Sequence, residues 1–412
     1  MTSSLTYIDL FAGAGGLSEG FIQSDFRPIA HVEIDKAACL TLKTRLAFHY
    51  LKQNKQSESY ISYLKGEIKR KDLYALIPDN TLSTVINAAI GKSNQFIFDK
   101  IDELTPTTQI DVIIGGPPCQ AYSIVGRAPL KHKKNDERTT LYLEYGKFLN
   151  KYNPKIFVFE NVPGILSSAD GKHYKNLQNY YKSLGYEVEA KLLNAIDFGV
   201  IQNRKRVIII GWKKELQLSY PDFICEQQRY TRDDIFSDLP EIAPGENNRF
   251  HQYAAIPNEY LLSKELRNGI DIVTQHITRP HNLRDLKIYE LAIEKLAEGE
   301  RLKHNQIPQE DRTQKNTTDF LDRFKVVGNE PHTMIAHIAK DGHHFIHPDK
   351  KQLRSISVRE AARIQSFPDN YYFEGVKEDQ YRTAAFRQIG NAVPPLMAIR
   401  IAEKIKEMLN GK

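Results

Sequence analysis

A cysteine follows two prolines in the segment Gly-Gly-Pro-Pro-Cys-Gln-Ala-Tyr-Ser at residues 115–123. The segment comes directly after the apolar run Asp-Val-Ile-Ile, which is typical of a strand buried on both faces. Ligand and catalytic sites of open α/β sheets lie where the strands end, at the carboxyl edge. Cys119 therefore stands where a nucleophile would stand, and its polar, glycine-rich surroundings argue against a buried structural thiol.

An acid and two arginines mark the ends of other apolar runs. Glu160 ends the run Ile-Phe-Val-Phe and is a candidate proton donor if its pKa is raised, although such an acid often only caps the next helix. Arg204 and Arg206 alternate in Gln-Asn-Arg-Lys-Arg, so on an extended chain they point the same way, towards a base carbonyl or a phosphate. Residues 127–138 hold five basic and two acidic side chains, which suits a phosphate-backbone substrate.

The first apolar run leads into a glycine-rich turn, Asp-Leu-Phe-Ala-Gly-Ala-Gly-Gly at residues 9–16. Glycines at a strand-to-helix turn let the backbone pass close to a ligand and leave free N–H groups at the helix start. The next run ends in Glu33-Ile34-Asp35, a carboxylate where folds of this kind usually hold a ribose diol. A plain tight turn is the alternative interpretation of the glycines.

Six motifs in order span nearly the whole chain: DLFAGAGG, GGPPCQAYS, ENV, QNRKR, RSISVREAARIQSFPD and QIGNAVPP. The set resembles the DNA cytosine carbon-5 methyltransferase family, and most of all its bacterial modification enzymes. The resemblance implies an α/β fold with a doubly wound, mostly parallel, Rossmann-like sheet and a second, smaller target-recognition domain. It also implies methyl transfer from S-adenosylmethionine to carbon 5 of cytosine within a specific double-stranded DNA sequence, through a covalent cysteine adduct and base flipping.

The resemblance also assigns roles to single positions. Cys119 would be the nucleophile, Glu160 the acid at ring nitrogen 3, and Arg206 the contact to the base carbonyl. Gln120, Ser123 and Arg204 would support the flipped nucleotide or its phosphates, and Arg127 and Thr333 would contact DNA. Glu33 would bind the ribose hydroxyls and Phe11 would lie against adenine. The whole cofactor site would comprise Asp9, Phe11, Gly13, Gly15, Gly16, Leu17, Glu33, Ile34, Asp99, Pro117, Asn391 and Val393.

Three departures from the family pattern stand out. Ile34 replaces the aromatic residue often found after the ribose-binding acid. The third cofactor motif is blurred, and Asp99 is the best candidate for it. Residues 50–95 interrupt the strand–helix rhythm and are predicted to be an insertion of unknown purpose.

The elements that must position these residues follow from hydrophobic periodicity. Strands are predicted at residues 6–10, 28–33, 111–114, 155–160, 187–192 and 207–212, and helices at 17–24, 36–49, 139–151 and 175–184. Residues 1–215 would form the catalytic and cofactor-binding domain, 216–350 the target-recognition domain, and 351–412 a return to the catalytic domain. Within the second domain, the motif-free segment 216–330 would read the DNA sequence. Helix 394–409 would pack beside the first strand.

Composition narrows the setting. The net charge of +6 permits a polyanionic partner such as double-stranded DNA. No stretch reaches the roughly 18 apolar residues of a membrane span, and the N-terminus does not resemble a secretory signal. Three separated cysteines exclude a disulfide framework and a cysteine zinc cluster. We expect a cytoplasmic bacterial monomer whose partner restriction endonuclease, if one exists, acts at the same site without direct contact.

The histidines at 332, 337, 343, 344 and 347 are dense enough to suggest a metal. The family needs none and no ligand spacing repeats, so surface or phosphate-contacting histidines are the prediction and no metal is expected. Three other functions stay open: an RNA cytosine methyltransferase on the same scaffold, an inactive DNA-binding relative, and a nicotinamide oxidoreductase. The length of segment 216–330 argues against the first, the presence of Cys119, Glu160 and Arg206 against the second, and only the glycine turn favours the third.

Overall fold

The computed structural model describes residues 4–105, 109–118, 140–312 and 321–411. The strands in these residues are β1 Thr6–Leu10, β2 Arg27–Glu33, β3 Val85–Asn87, β4 Val112–Gly115, β5 Ile156–Asn161, β6 Tyr186–Asn194, β7 Lys205–Lys213, β8 Phe250–Gln252 and β9 Ile272–Thr274. The α-helices are α1 Gly16–Gln23, α2 Lys36–Gln53, α3 Ser57–Lys65, α4 Arg70–Ala75, α5 Asp79–Leu82, α6 Asn94–Leu104, α7 Leu141–Tyr152, α8 Gly164–Ser167, α9 Lys172–Ser183, α10 Arg232–Phe236, α11 Glu259–Ser263, α12 Leu283–Ala297, α13 Val358–Ile364, α14 Arg382–Asn391 and α15 Pro395–Asn410.

Seven strands form one sheet in the order β3-β2-β1-β4-β5-β7-β6. Strands β1 to β5 pair in parallel, while β7 runs antiparallel to both β5 and β6. The carboxyl ends of β1 to β5 therefore lie along one edge. The amino end of β7 meets them there, because Asn161 at the end of β5 pairs with Val207 near the start of β7.

The central strands are buried on both faces, as their continuous apolar runs predict. Along β4, Val112 and Ile114 belong to one hydrophobic core and Ile113 to the other. Strands β5 and β7 alternate in the same way between the two cores. The predicted α/β class, with a doubly wound and mostly parallel sheet, is confirmed.

The two ends of the chain pack together on one face of this sheet. Helix α15 lies against α1 so closely that a Cβ on Gly20 would come 2.3 Å from the carbonyl carbon of Ala398. Met397 and Ile401 of α15 share a core with Tyr7 of β1. The last helix thus completes the layer that the first helix begins.

Six strands and five helices, α15 among them, lie close to their predicted positions, whereas β3 and α14 are among the elements that were not predicted. The idea of a simple insertion at residues 50–95 is wrong in part, since β3 is the edge strand of the main sheet and pairs with β2. Three residues are too few to show an alternation of their own. The additional structure is helical and comprises α3, α4 and α5 between α2 and β3.

These additional helices connect two parts of the chain. Tyr60, Tyr63 and Leu73 form a core with Ile272 of β9 and with Tyr372. Arg249, just before β8, donates to the backbone carbonyls of Tyr63 and Leu64 at the end of α3. Helices α3 and α4 therefore pack against both segment 216–330 and the C-terminal part of the chain.

Residues 216–278 are joined to α13 by buried ion pairs. Arg363 of α13 is fully buried and pairs with Asp238 and with Asp369. Burial alone would raise the pKa of Asp369, but the guanidinium of Arg363 outweighs it and holds that pKa below its ordinary value. Arg354 pairs in the same manner with Glu360. Removing either partner would leave a charge without compensation in the interior.

No helix within the described residues is long and apolar enough to cross a membrane.

Candidate active site

The side chain of Glu33 is fixed at the end of β2 by the neighbouring backbone. Its Oε2 accepts the N–H of Gly13 at 2.8 Å and its Oε1 accepts the N–H of Asp35 at 2.7 Å. Burial is the main cause that raises the pKa of this carboxyl, and these two hydrogen bonds oppose it. Each oxygen keeps lone-pair capacity, so the group presents an oriented acceptor pair of the kind that binds a diol.

The glycine-rich turn after β1 has an unusual backbone. Phe11, Gly13 and Gly15 have φ of 58°, 55° and 83°, in the left-handed region that favours glycine. A Cβ on Gly13 would meet nothing within 4 Å, so open space lies next to the Glu33 carboxylate. Phe11 is half-buried against the core beneath.

Two further side chains border this space. Ile34 is 69% exposed directly after Glu33, an apolar surface available for a planar ring. Asp9 is buried, and its Oδ2 has no hydrogen-bond partner among the described residues. Burial first, and then the charge of Glu33, raise the pKa of Asp9 well above its ordinary value. These features fit a nucleoside cofactor with a polar group near Asp9.

Residues from the C-terminal end of the chain close the other side of the turn. A Cβ on Gly16 would come 2.2 Å from the carbonyl oxygen of Val393, so only glycine permits this approach. Asn391 is the exposed last residue of α14, and Leu17 is buried in the first turn of α1. The predicted cofactor residues at both ends of the chain thus meet at one turn.

Asp99 does not lie at the strand ends. It is exposed on α6, where its Oδ1 accepts from Gln95. The residue in register with Glu33 is Asn87 at the end of β3, whose amide donates to the carbonyls of Glu33 and Ile34. Asn87 is therefore a better candidate than Asp99 for this position of the site. In the sequence, the one local signal for it is that it follows the short apolar pair Val-Ile.

A second group of predicted residues lies at the ends of β4, β5 and β7. Glu160 Oε1 is 2.8 Å from Arg206 Nε, and each side chain is 12% exposed. Gly116 lies against them, because a Cβ there would be 2.7 Å from Glu160 Oε2. The Pro117 carbonyl accepts a hydrogen bond from the amide of Asn161, the residue after Glu160.

Arg204 and Arg206 have separate partners, although their alternation predicts a shared direction. Arg204 is fully buried and donates to the backbone carbonyls of Met334, Gly390 and Ala392. Thr333 donates through its hydroxyl to the carbonyl of Asn203 at 2.6 Å. Arg204 thus positions backbone around the site, and its contact to a nucleotide stays a prediction.

Four predicted residues, Cys119, Gln120, Ser123 and Arg127, lie outside the described residues, as does the rest of the basic segment that ends at Arg138. Pro118, exposed at the end of residues 109–118, directly precedes the cysteine.

The histidines only partly match the surface role predicted for them. His347 is 6% exposed and stacks on Phe236, and burial lowers its pKa to about 4. Ligand atoms of His337, Asp341 and His344 lie within 4.8 Å of one another. Arg323 Nε is 3.1 Å from Asp341 Oδ2, however, and this guanidinium already neutralises the carboxylate that a cation would need.

Comparison with known proteins agrees with this arrangement. Residues 5–75 and 79–407 match the family described as C-5 cytosine-specific DNA methylase. The type II methyltransferase M.Bpa9945I of Bacillus paralicheniformis is 41% identical over 98% of this chain and 99% of its own length. M.DdeI of Desulfomicrobium norvegicum is 30% identical over 97% of this chain and 88% of its own.

Solved structures show the same fold. A structure described as a DNA modification methyltransferase encoded within an E. coli prophage superposes with a TM-score of 0.66 at 24% identity, covering 99% of this chain and 100% of that one. The Entamoeba histolytica methyltransferase EhMeth gives a TM-score of 0.52 at 14% identity, with 99% of both chains covered. From the family match over nearly its whole length, this chain belongs to the C-5 cytosine-specific DNA methylases and is a DNA cytosine-5 methyltransferase of the type II restriction-modification kind.

Proposed function

We propose that this enzyme methylates carbon 5 of a cytosine flipped out of double-stranded DNA, with S-adenosylmethionine as methyl donor and Cys119 as covalent nucleophile. One observation carries the proposal: the Glu33 site at the end of β2 and the Glu160–Arg206 pair on β5 and β7 lie along the same edge of the sheet, with the ends of β1 and β4 between them. A cofactor held at Glu33 and extended across β1 and β4 would bring its methyl group to a pyrimidine at the second site.

Glu33, Phe11 and Ile34 would hold the cofactor. The carboxylate oxygens of Glu33 would accept the two ribose hydroxyls, and the adenine would lie between Phe11 and the exposed Ile34. Asn391 and the carbonyl of Val393 would border the same nucleoside from α14. When bound, S-adenosylmethionine supplies an electrophilic methyl group.

Carbon 5 of cytosine is a poor nucleophile, so electrons must be pushed into the ring. The Cys119 thiolate would form a bond to carbon 6, and the ring electron pair released would make carbon 5 nucleophilic. After methylation, loss of the carbon 5 proton and of the thiolate restores the ring and frees the cysteine. The tie between Pro117 and Asn161 supports the placement of Cys119, two residues further on, beside Glu160.

Glu160 would stabilise the ring by a hydrogen bond at nitrogen 3. Arg206 faces the Glu160 carboxyl at 2.8 Å and holds it in place, while also offering donors to the base carbonyl at carbon 2. The base must leave the helical stack for these groups to reach it in its own plane.

The specific sequence would be read by segment 216–330, the large region without a family motif. Arg229, Arg232, Arg249, Gln252, Asn282 and Arg284 are side-chain types that read groove edges. In the structure Arg249 is bonded to the end of α3, Arg232 donates to the carbonyl of Val327, and Arg229 donates to the carbonyl of Ile196 and pairs with Asp197, so these three are weaker candidates. We also expect a monomer and, where a cognate restriction endonuclease exists, one that acts at the same DNA site without direct contact.

The test is the substitution Cys119→Ser. We expect no detectable methylation, with S-adenosylmethionine affinity within about twofold of wild type, because the thiol acts on the base and not on the cofactor. Isothermal titration measures the affinity, and bisulfite sequencing of DNA from expressing cells measures methylation. Wild-type turnover by the variant would exclude Cys119 as the nucleophile.

A trapping experiment checks the covalent step. In DNA carrying 5-fluorocytosine, the ring substituent cannot leave as a proton, so the wild-type enzyme with cofactor should form a stable adduct. Peptide mass spectrometry should locate the adduct at Cys119. Trapping at another residue, or equal trapping by the Cys119→Ser variant, would contradict the assignment.

A further inference from the structure

The carbonyl of Ala14, in the middle of the glycine-rich turn, accepts a hydrogen bond from a distant part of the chain. The donor is the hydroxyl of Tyr371, which lies 357 positions later in the sequence. Ala14 is 2% exposed and Tyr371 is 1% exposed, so water is not available to replace this contact. A buried carbonyl without a donor is costly.

The turn needs external support because of its conformation. Three of its residues, Phe11, Gly13 and Gly15, have positive φ, and Phe11 carries a side chain that disfavours it. A Cβ on Gly15 would come 2.9 Å from the Tyr371 hydroxyl, so the tyrosine is packed directly under the turn. The neighbouring Gly13 N–H is the group that orients Glu33.

Tyr371 is itself held in place by a buried ion pair. The Arg45 guanidinium lies 4.7 Å from the centre of the Tyr371 ring. Arg45 donates from Nε and Nη2 to the two oxygens of Glu19, on the helix that begins at this turn. Burial raises the pKa of Tyr371 well above its ordinary value, so the hydroxyl keeps its proton and remains a donor.

We propose that Tyr371 is a positioning residue for S-adenosylmethionine: its hydroxyl holds the Ala14 carbonyl and so keeps the turn and Glu33 in the binding geometry before the cofactor arrives. The inference rests on the proposed function of this turn. In this proposal Tyr371 acts through the backbone of the turn and touches neither the target base nor the cofactor. A site organised in advance binds its ligand more tightly because less ordering accompanies binding.

The experiment compares Tyr371→Phe with a matched control, Tyr186→Phe. Tyr186 is also fully buried and donates to a backbone carbonyl, that of Pro154, but it lies at the opposite edge of the sheet. Each variant removes one hydroxyl without removing the ring. Isothermal titration with S-adenosylmethionine gives Kd, initial rates on substrate DNA give KM and kcat, and thermal unfolding gives Tm.

For Tyr371→Phe we expect Kd and KM for S-adenosylmethionine to rise about tenfold, which corresponds to roughly 1.4 kcal/mol. The kcat at saturating cofactor and the affinity for DNA should stay at wild-type values. Tyr186→Phe should lower Tm by about as much as Tyr371→Phe does, but it should leave Kd and KM for S-adenosylmethionine unchanged. The difference in Kd and KM between the two variants distinguishes a role in positioning the cofactor site from a general loss of stability.

Three outcomes would overturn the inference. If Tyr371→Phe binds S-adenosylmethionine as tightly as wild type, the hydroxyl does not organise the site. If Tyr186→Phe raises the Kd for S-adenosylmethionine as much as Tyr371→Phe does, the effect is one of global stability. If the wild-type enzyme does not bind S-adenosylmethionine at all, the proposed function fails first, and the titration of wild type identifies that case.

Discussion

At the end of β4, the carboxylate of Glu160 takes the space that a side chain on residue 116 would fill. A Cβ on Gly116 would lie 2.7 Å from Glu160 Oε2, which is closer than any real contact of that kind. The neighbouring Gly115 differs, since its Cβ would lie 2.3 Å from the backbone carbonyl oxygen of Leu10. Gly116 makes room for the side chain of Glu160, and Gly115 makes room for the backbone of the neighbouring strand β1.

The two glycines therefore predict different losses. In Gly116→Ala the end of a flexible side chain can move away, so the fold should persist while Glu160 leaves its position beside Arg206. We expect kcat to fall about a hundredfold or more, the scale of a misplaced acid–base group, with Tm within a few degrees of wild type. Steady-state kinetics and thermal unfolding of the same preparation measure both.

Gly115→Ala provides the contrast. Its Cβ clashes with β1 backbone that cannot move aside, so we expect a large loss of Tm or of folded protein. Full activity of Gly116→Ala would show that the carboxylate of Glu160 is not needed where the structure places it.

At the scale of elements, the first and last helices can pack side by side in one layer because a glycine lies at their contact. Gly20 on α1 faces the backbone of Ala398 on α15, and an added Cβ would come 2.3 Å from the carbonyl carbon of that residue and 2.4 Å from the N of Ile399. Both contacts are to backbone, which a rotamer change cannot relieve. Helix α1 also carries Glu19 and begins at the glycine-rich turn.

Gly20→Ala should therefore push α15 away from α1. We expect a loss of about 1–3 kcal/mol in the free energy of unfolding, the usual cost of overpacking, despite the better helix propensity of alanine. Urea denaturation measures this loss. Glu407→Ala, at an exposed position of α15, serves as the control and should change stability by less than about 0.5 kcal/mol. A Gly20→Ala variant as stable as wild type would contradict the close packing.

At the scale of the whole molecule, segment 216–330 does not fold as a separate unit from the rest of the chain. Asp238 lies in it, is 1% exposed, and pairs with Arg363 of α13 and with Arg267. Arg249 ties the same segment to α3. In the described part of this segment, α12 and its surroundings pack into a separate core together with Ile346, built from Ile288, Tyr289, Ile293, Leu302, Ile307 and Phe324.

This organisation sets the conditions for transferring sequence specificity. Exchanging residues 216–330 for the matching segment of a related enzyme should transfer the recognition sequence while Cys119 chemistry continues, provided that an acid stands at position 238. A chimera with Ala at 238 should lose about 1–3 kcal/mol of stability, because the buried Arg363 would keep Asp369 but lose its second carboxylate partner. Bisulfite sequencing identifies the methylated site, and an active chimera that still methylates the original sequence would place the reader elsewhere, with residues 50–95 next to be tested.

The sequence by itself determined the class of the sheet and most of its strands, because runs buried on both faces are continuously apolar and local patterns report burial directly. It also located Glu33, Glu160 and the glycine turn, since strand ends and turn chemistry are local features. The tertiary structure alone decided which groups meet. β7 runs antiparallel, so Arg206 at its start faces Glu160 at the end of β5, and nothing local sets that direction. The contacts of Arg204 with Met334, and of Tyr371 with Ala14, join residues more than a hundred positions apart, and only the packing of the whole chain brings them together.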